Sequence, residues 1–232
     1  MAIVCITGAS RGIGYAFARA YLEEGHTVVA AVRNPDCEGA RGLAAEYPEQ
    51  AHIVAMDVAD DDSVEQAARE IEAHVSAIDI LINNAGLAKE PDESRLEDIS
   101  PGDIQELFNV NTLGPLRVTQ RLFPLIRNGT DPKVIMISSS VGSIASQRGG
   151  RGVPYCVSKA ALNMLTKLLT FHCRPEGVAI AALHPGWVRT EMGGFNATLS
   201  VEESVAGMMQ LIATLSNDSP VYMDYQGNEM LW

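Results

Sequence analysis

Six short apolar runs, separated by longer amphipathic segments, constrain the fold of this chain more than any other feature of its sequence. The runs are rich in Ile and Val and comprise Ile3–Ile6, Thr27–Val32, His52–Met56, Ile78–Ile82, Lys133–Ser138 and Val178–His184. They are nearly continuous rather than alternating, which is typical of strands buried on both faces of a parallel sheet. The sequence therefore predicts a sheet with helices packed on each side.

The segments between these runs have the apolar spacing of amphipathic helices. The predicted helices are Gly14–Glu24, Ser63–His74, Pro101–Ile126, Pro154–Arg174 and Val201–Leu215. A last apolar piece, Val221–Met223, follows the fifth helix and could add a seventh strand. Alternating strands and helices predict an α/β fold built on a doubly wound parallel sheet. Because no repeat, linker or low-complexity segment interrupts the pattern, residues 1–232 are expected to form one domain.

Composition and charge argue against several classes of partner. The 232 residues include 17 Lys and Arg against 29 Asp and Glu, and the basic residues form no stripe. Nucleic acid and anionic membranes are therefore not expected partners. Four cysteines lack CxxC and metal-site spacing, which predicts free thiols and no metal. Without a signal peptide or a membrane-spanning apolar stretch, the sequence predicts a soluble cytoplasmic protein.

A glycine-rich turn, Thr7–Gly14, joins the first predicted strand to the first predicted helix. Gly8 permits a tight reversal, Gly12 lets the backbone approach a pyrophosphate, and Gly14 lets the helix pack closely on the strand. The helix N-terminus directs free N–H groups and partial positive charge at the phosphates. The turn, with Ser10, Arg11 and Ile13 among its members, is therefore a predicted dinucleotide-binding element.

The end of the second strand indicates which dinucleotide binds. An NAD site usually has an acidic residue there to bind the ribose 2′-hydroxyl. This strand instead ends in Val32-Arg33-Asn34, without a carboxylate to repel a 2′-phosphate. Arg33 can form a charge-assisted pair with that phosphate, and Arg11 is a second candidate. The sequence therefore predicts NADP(H).

Tyr155 and Lys159 form the predicted proton-transfer pair. Their separation of four residues puts both side chains on one helical face. A free tyrosine has a pKa near ~10, and a neighbouring ammonium and an oxidised nicotinamide should lower it. Tyr155 can then exchange a proton with a substrate oxygen. A serine of Ser138–Ser140, after the fifth strand, can hydrogen-bond the same oxygen, but the residues alone leave open which one.

These motifs together resemble the short-chain dehydrogenase/reductase family. The shared elements, in the family's order, are the TGxxxGxG turn, Asn83–Gly86 (NNAG), a Ser-x-x-Gly frame, YxxxK, and Pro185–Thr190 in a PGxVxT pattern. They span residues 7 to 190. Within the family, the chain looks most similar to the small C-factor-like and sniffer-like carbonyl reductases. The resemblance implies a Rossmann-type sheet of about seven strands in the order 3-2-1-4-5-6-7.

The resemblance also assigns roles to individual residues. It selects Ser139 among the three serines and Asn111 over Asn109. The implied catalytic residues are Asn111, Ser139, Tyr155 and Lys159. The implied NADP(H)-binding residues are Gly8, Ser10, Arg11, Gly12, Ile13, Gly14, Arg33, Asp57, Val58, Asn83, Ala85, Gly86, Tyr155, Lys159, Pro185, Gly186, Val188 and Thr190. For Asp57, a cap or turn before the third helix is an alternative. His184 has no nucleophile to pair with and is interpreted as structural.

The expected activity is NADP(H)-dependent hydride transfer between nicotinamide and a carbonyl or secondary alcohol, with a ketone or aldehyde reductase favoured. Two alternatives stay open: alcohol oxidation by the same residues, and an NADP-binding signalling protein of C-factor type. The substrate is expected to be a small carbonyl or alcohol held by Leu87–Pro91, Ser140–Val153 and Trp187–Ser200. The resemblance further implies a homodimer or homotetramer that pairs through helices Pro101–Ile126 and Pro154–Arg174.

Overall fold

A single sheet of seven parallel strands organises the protein, which a computed structural model describes for residues 1–89 and 95–232. The strands are β1 (Ile3–Thr7), β2 (Thr27–Val32), β3 (Ala51–Ala55), β4 (Ile80–Asn83), β5 (Lys133–Ile137), β6 (Ala179–His184) and β7 (Tyr222–Asp224). Their order is β3-β2-β1-β4-β5-β6-β7. This confirms the predicted α/β class, the doubly wound topology and the strand order.

Helices cover both faces of the sheet. They are α1 (Gly12–Glu23), α2 (Glu38–Glu46), α3 (Asp61–His74), α4 (Pro101–Phe108), α5 (Gly114–Arg127), α6 (Val153–Cys173) and α7 (Val201–Thr214), with a π-helical segment, Asn109–Leu113, joining α4 to α5. One core cluster holds apolar residues of α3, α5 and α6, including Ile71, Leu122 and Leu162. A second holds residues of α1, α2 and α7, including Phe17 and Met208. The strands are therefore covered on both faces, as their continuous apolar sequences predict, although Ala55 at the end of the edge strand β3 is exposed.

The structure departs from the predicted elements in two places. Helix α2 was not predicted, and the predicted helix Pro101–Ile126 is interrupted by the π-helical segment. Helix α2 contains Gly39 and Gly42, which weaken the helical signal of its sequence. A β-carbon on Gly39 would overlap the carbonyl oxygen of Ser10. Gly39 therefore weakens the helical signal of the sequence, but it allows α2 to pack closely on the glycine-rich turn.

Two searches of residues 1–89 and 95–232 bear on membranes and metals. No helix in these ranges combines the length and apolar character needed to cross a bilayer. No cluster of His, Cys, Asp and Glu in the same ranges has an arrangement that could bind a metal ion.

The topology determines where a ligand can bind. Strand β1 pairs with β2 on one side and with β4 on the other, so the chain reverses its direction of winding between β1 and β4. Ligands of open α/β sheets bind at the carboxyl ends of strands beside such a reversal. The glycine-rich turn and the segments after β4, β5 and β6 all leave the sheet at this edge.

Candidate active site

The glycine-rich turn has the backbone conformation that its sequence predicts. Gly8 has a φ of 68° and Gly12 a φ of 57°, in the left-handed region that favours glycine. A β-carbon on Gly14 would overlap the Gly8 carbonyl oxygen and the Asn84 side chain. Gly14 therefore allows α1 to begin directly against the turn, as expected.

The N-terminus of α1 has no side-chain cap, a property that it shares with α2 and α6. Its first residue is preceded by Arg11, which makes no capping hydrogen bond, and no acidic residue lies in the first turn. By contrast, Asp60, Ser100 and Ser200 cap α3, α4 and α7 through their side chains. An uncapped N-terminus presents free N–H donors and the positive end of the helix dipole. The free N–H groups at the start of α1 therefore fit the pyrophosphate of a dinucleotide.

The two predicted phosphate-binding arginines have different surroundings. Arg33 is exposed at the end of β2, and the described part of the chain offers it no hydrogen-bond or ion-pair partner. Arg11 forms an ion pair with Glu191, from the segment that follows β6. Both members of that pair are largely exposed to solvent. Arg33 is thus free to meet a 2′-phosphate, whereas Arg11 would have to leave Glu191.

The two asparagines that follow β4 have separate tasks. Asn84 joins β4 to the turn, since its Nδ2 donates to the Thr7 carbonyl at 2.9 Å and to the Gly8 carbonyl at 3.2 Å. Asn83 is buried, and its Nδ2 donates to Thr119 Oγ1 at 3.1 Å. The Asn83 side chain is therefore turned into the core, and only its main chain remains to contact a cofactor. Sequence analysis did not assign Asn84, although the NNAG motif contains it.

Asp57 and Val58 follow β3, where the resemblance implies an adenine site. Asp57 Oδ1 accepts a hydrogen bond from Ala59 N at 2.9 Å, which closes a local turn. The cap of α3 is Asp60, whose Oδ1 accepts from Ser63 N at 2.7 Å. Asp57 thus forms a turn but is not the helix cap. Val58 is buried.

Lys159 lies beneath the ring of Tyr155 in the first turns of α6. Its Nζ is 5.7 Å from the centre of the tyrosine ring and donates a hydrogen bond to the Ile137 carbonyl at 2.8 Å. The side chain is buried, and burial lowers the pKa of Lys159 to about 8. The ammonium is thus held at the carboxyl end of β5 by one main-chain acceptor.

The pKa of Tyr155 departs from the sequence expectation. Burial raises the pKa of Tyr155 to about 12, and a hydrogen bond with Ser139 opposes the rise. In the protein by itself this pKa is raised and not lowered, because loss of solvation outweighs the hydrogen bond with Ser139. The Tyr155 hydroxyl is consequently protonated at neutral pH, which is the state a proton donor requires.

The structure separates the three serines that follow β5. Ser139 is the serine whose side chain meets Tyr155. The Ser138 hydroxyl instead donates to Asn163 Oδ1 at 2.5 Å, in the protein interior. Ser140 begins a short 3-10 turn, Ser140–Gly142. The structure therefore brings Ser139 and Tyr155 together, in agreement with the register that the resemblance selects.

Asn111 lies next to Lys159, and Asn109 does not. Within the π-helical segment, Asn111 Nδ2 donates to the Leu87 carbonyl at 2.8 Å, and its Oδ1 accepts from Leu87 N at 2.7 Å. A β-carbon on Gly86 would lie 3.5 Å from Asn111 Oδ1 and 3.9 Å from Lys159 Nζ. Asn109 faces Arg117, whose Nη2 donates to it at 2.7 Å.

The segment after β6 folds back over the glycine-rich turn. Thr190 lies close to Gly12, since a β-carbon on that glycine would be 3.6 Å from Thr190 Cγ2. Gly186 has a φ of 84°, and the Pro185 carbonyl accepts a hydrogen bond from Ser204 Oγ at 2.6 Å. Within the described ranges the buried Val188 N–H has no acceptor, so this amide is available to a ligand.

The predicted walls of the substrate pocket are partly described. Trp187, Met192 and Phe195 are exposed on the segment after β6, and Trp187 Nε1 donates to the Gly193 carbonyl at 2.9 Å. In the predicted wall Leu87–Pro91, Glu90 and Pro91 lie outside the described residues. His184 has a buried Nδ1 without a partner in the described chain, and burial lowers its pKa.

Comparisons with known proteins agree with this geometry. The model of the short chain dehydrogenase family matches residues 2–198. The chain is 42% identical over 156 residues to C-signal of Myxococcus xanthus, covering 67% of this chain and 93% of that protein. The structure of NADPH-bound carbonyl reductase from chicken fatty liver matches with a TM-score of 0.92 and 33% identity, covering 100% of this chain and 99% of that one. Carbonyl reductase Sniffer of D. melanogaster matches with a TM-score of 0.93 and 27% identity over the whole of both chains.

Proposed function

Because this chain belongs to the short-chain dehydrogenase family of oxidoreductases, we propose that it is an NADPH-dependent reductase of ketones or aldehydes. The observation that carries the proposal is the meeting of Tyr155, Lys159 and Ser139 at the carboxyl end of β5. NADPH, when bound, supplies the hydride that reduces the carbonyl carbon. Residues 1–232 act as one catalytic domain.

The protein's own residues handle the proton and the developing charge. The Tyr155 hydroxyl, protonated because its pKa is about 12, donates its proton to the substrate oxygen as negative charge develops there. The Ser139 hydroxyl hydrogen-bonds the same oxygen. The ammonium of Lys159, below the ring of Tyr155, stabilises the negative charge that develops on the tyrosine as it gives up its proton. Asn111 holds Leu87 and so shapes the opening above Lys159.

The cofactor preference follows from the charges at the end of β2. The uncapped N-terminus of α1 would hold the pyrophosphate, and Arg33 would pair with the 2′-phosphate of NADPH. Asp57 and Val58 would border the adenine ring. The Val188 amide and the Thr190 hydroxyl would hold the nicotinamide carboxamide. The bound NADPH of the chicken fatty liver enzyme supports this choice.

The test follows oxidation of NADPH and of NADH by absorbance, with a panel of aldehydes, ketones and quinones. Wild-type protein should consume NADPH much faster than NADH. Tyr155→Phe should lower kcat by roughly 100-fold or more, the usual contribution of a general acid. Tyr47→Phe, a tyrosine change at the end of α2, is the control and should leave kcat unchanged. Full activity in Tyr155→Phe would refute the proposed proton donor.

The two arginines give the cofactor arm of the same test. Arg33→Ala should weaken NADPH binding by roughly 10-fold to 100-fold and leave NADH binding unchanged, since it removes a charge-assisted contact to the 2′-phosphate. Arg11→Ala should have a smaller effect, because Arg11 is paired with Glu191. A wild-type preference for NADH would contradict both assignments.

A signalling role is the second candidate, and the 42% identity to C-signal favours it. A protein with that role would bind NADPH without needing to turn over a carbonyl. Tight NADPH binding combined with no turnover on the whole panel would support this candidate. Alcohol oxidation by the same residues is less favoured, because Arg33 supports the use of NADP(H), whose pool is usually the reducing one.

A further inference from the structure

A hydrogen-bonded cluster lies behind Ser139 and reaches the far edge of the sheet. Its outermost member is Tyr222 on β7, whose side chain is fully buried. The Tyr222 hydroxyl donates to the Ser139 carbonyl at 2.7 Å, a contact between residues 83 positions apart. An edge strand that contributes nothing else to the site thus contacts the main chain of a proposed catalytic residue.

Asn163 links this cluster to α6. It lies one helical turn beyond Lys159, and its Oδ1 accepts from Ser138 Oγ at 2.5 Å. Its Nδ2 is buried without a well-formed hydrogen bond, and it lies beside the Tyr222 hydroxyl. A β-carbon on Gly142 would lie 2.9 Å from this Nδ2. The turn that follows Ser139 is therefore packed tightly against the helix that carries Tyr155.

We propose that Tyr222 is a positioning residue that sets the direction of the Ser139 hydroxyl by holding the Ser139 carbonyl. The inference rests on the proposed function, in which Ser139 and Tyr155 share the substrate oxygen. The Ser139 carbonyl accepts two donors, the Tyr222 hydroxyl and Gly142 N at 3.0 Å. Two donors fix the plane of that peptide, and small displacements of a catalytic group lower rates strongly.

The ring of Tyr222 is itself held in place. Trp232 packs on it with ring centres 5.3 Å apart, and the Trp232 carbonyl accepts from Ala145 N at 2.9 Å. Phenylalanine in place of Tyr222 keeps this packing and removes only the hydroxyl. Tyr222→Phe therefore keeps the ring in place and removes the hydrogen bond to the Ser139 carbonyl together with the contact to Asn163 Nδ2.

The experiment measures kcat, the KM for NADPH, and the NMR resonance of isotope-labelled Tyr155 Cζ, assigned by its loss in Tyr155→Phe. Tyr222→Phe should lower kcat roughly threefold to tenfold, the scale of one neutral hydrogen bond, and leave the KM for NADPH unchanged. It should also move the Tyr155 resonance, and Ser139→Ala should move it as well. In a Ser139→Ala background, Tyr222→Phe should change neither kcat nor the resonance further. Tyr21→Phe is the control, because Tyr21 is a buried tyrosine of the other core cluster.

The outcomes separate the positioning role from a structural one and from the reductase proposal. An unmoved Tyr155 resonance in Tyr222→Phe would overturn the inference. The inference would also be overturned if Tyr222→Phe lowered kcat equally in the wild type and in Ser139→Ala. The Tyr222 hydroxyl would then stabilise the fold in general and would not act through the Ser139 hydroxyl. The wild-type protein could show no turnover while Tyr222→Phe moves the Tyr155 resonance only when the Ser139 hydroxyl is present. That result would support the positioning role and refute the reductase activity.

Discussion

Tyr155 and Lys159 show how burial acts on the two residues proposed to handle the proton. Burial raises the pKa of Tyr155 to about 12 and lowers the pKa of Lys159 to about 8. Both shifts disfavour the charged form, as expected for groups removed from water. The tyrosine keeps the protonated state that donation requires, and the lysine keeps a charge that the surrounding protein solvates poorly. The site therefore lowers the stability of the protein for the sake of its chemistry.

Lys159→Met should accordingly stabilise the protein at neutral pH while abolishing turnover. The folded pKa of Lys159, about 8, is below the ordinary value of 10.5, so the unfolded chain binds more protons between these limits. Wild-type stability should then rise with pH from about 8 to about 10.5, and the burial cost is fully present below pH 8. Allowing for the lost hydrogen bond to Ile137, we expect a gain of about 1–3 kcal/mol at pH 7, shrinking above pH 8.

Urea unfolding at a series of pH values checks this prediction. Lys167→Met is the matched control, because Lys167 is an exposed lysine of the same helix, and its removal should leave the pH dependence unchanged. Equal stability of Lys159→Met and wild type at pH 7 would show that burial of this ammonium costs nothing.

Sequence could predict the residues whose roles depend on local spacing. Tyr155 and Lys159 are four residues apart and therefore share a helical face. The glycines lie close together in one turn, so their roles also follow from neighbouring sequence. The side chain of Asn83 could not be placed this way, because its partner Thr119 is 36 positions away. The ion pair of Arg11 with Glu191 spans 180 positions. Such contacts depend on which loops the fold brings together.

At the scale of elements, the junction of β1 with α1 leaves no room for a side chain at Gly14. A β-carbon on Gly14 would overlap main-chain and side-chain atoms, whereas one on Gly42 of α2 would meet nothing within 4 Å. Gly14→Ala should destabilise the protein by about 1–3 kcal/mol, the cost of overpacking, and weaken NADPH binding. Gly42→Ala should stabilise it by about 0.5–1 kcal/mol through helix propensity.

Chemical unfolding of both variants, together with NADPH titration, checks the comparison. Gly42→Ala acts as the control, because it makes the same chemical change at an open helical position. If Gly14→Ala were as stable as wild type and bound NADPH normally, α1 would not need to begin so close to the Gly8 carbonyl.

Element boundaries were predictable only where the apolar pattern of the sequence is strong. The buried strands agree with their apolar runs to within about two residues, because continuous burial leaves little ambiguity. The π-helical segment Asn109–Leu113 could not be read from periodicity, since it adds one residue per turn within an otherwise regular helix. That extra residue accompanies the inward side chain of Asn111, which is fully buried. The irregularity is thus located where the site needs a polar side chain.

At the scale of the whole molecule, the inner and outer faces of α6 differ in character. Its inner face carries Tyr155, Lys159 and Asn163, and its outer face exposes a stripe of Val157, Met164, Leu168 and Phe171. The spacing of these apolar residues by seven, four and three positions aligns them along one side of the helix. Contiguous exposed apolar surface of this kind is uncommon on monomeric proteins. We therefore propose the α6 stripe as the contact between copies of the chain.

The final prediction concerns the strength and salt dependence of that association. Each copy carries a net charge of -12, so two copies repel one another and apolar burial must supply the attraction. Added salt should strengthen the dimer, because screening weakens the repulsion and leaves the apolar contact intact.

Leu168→Glu combined with Phe171→Glu should convert the protein to a monomer without loss of fold. Light scattering after size exclusion measures the mass, and Leu96→Glu, which changes an exposed leucine outside α6, should leave it unchanged. A monomeric wild type at high salt, or a dimer that survives the double substitution, would exclude the α6 stripe as the interface.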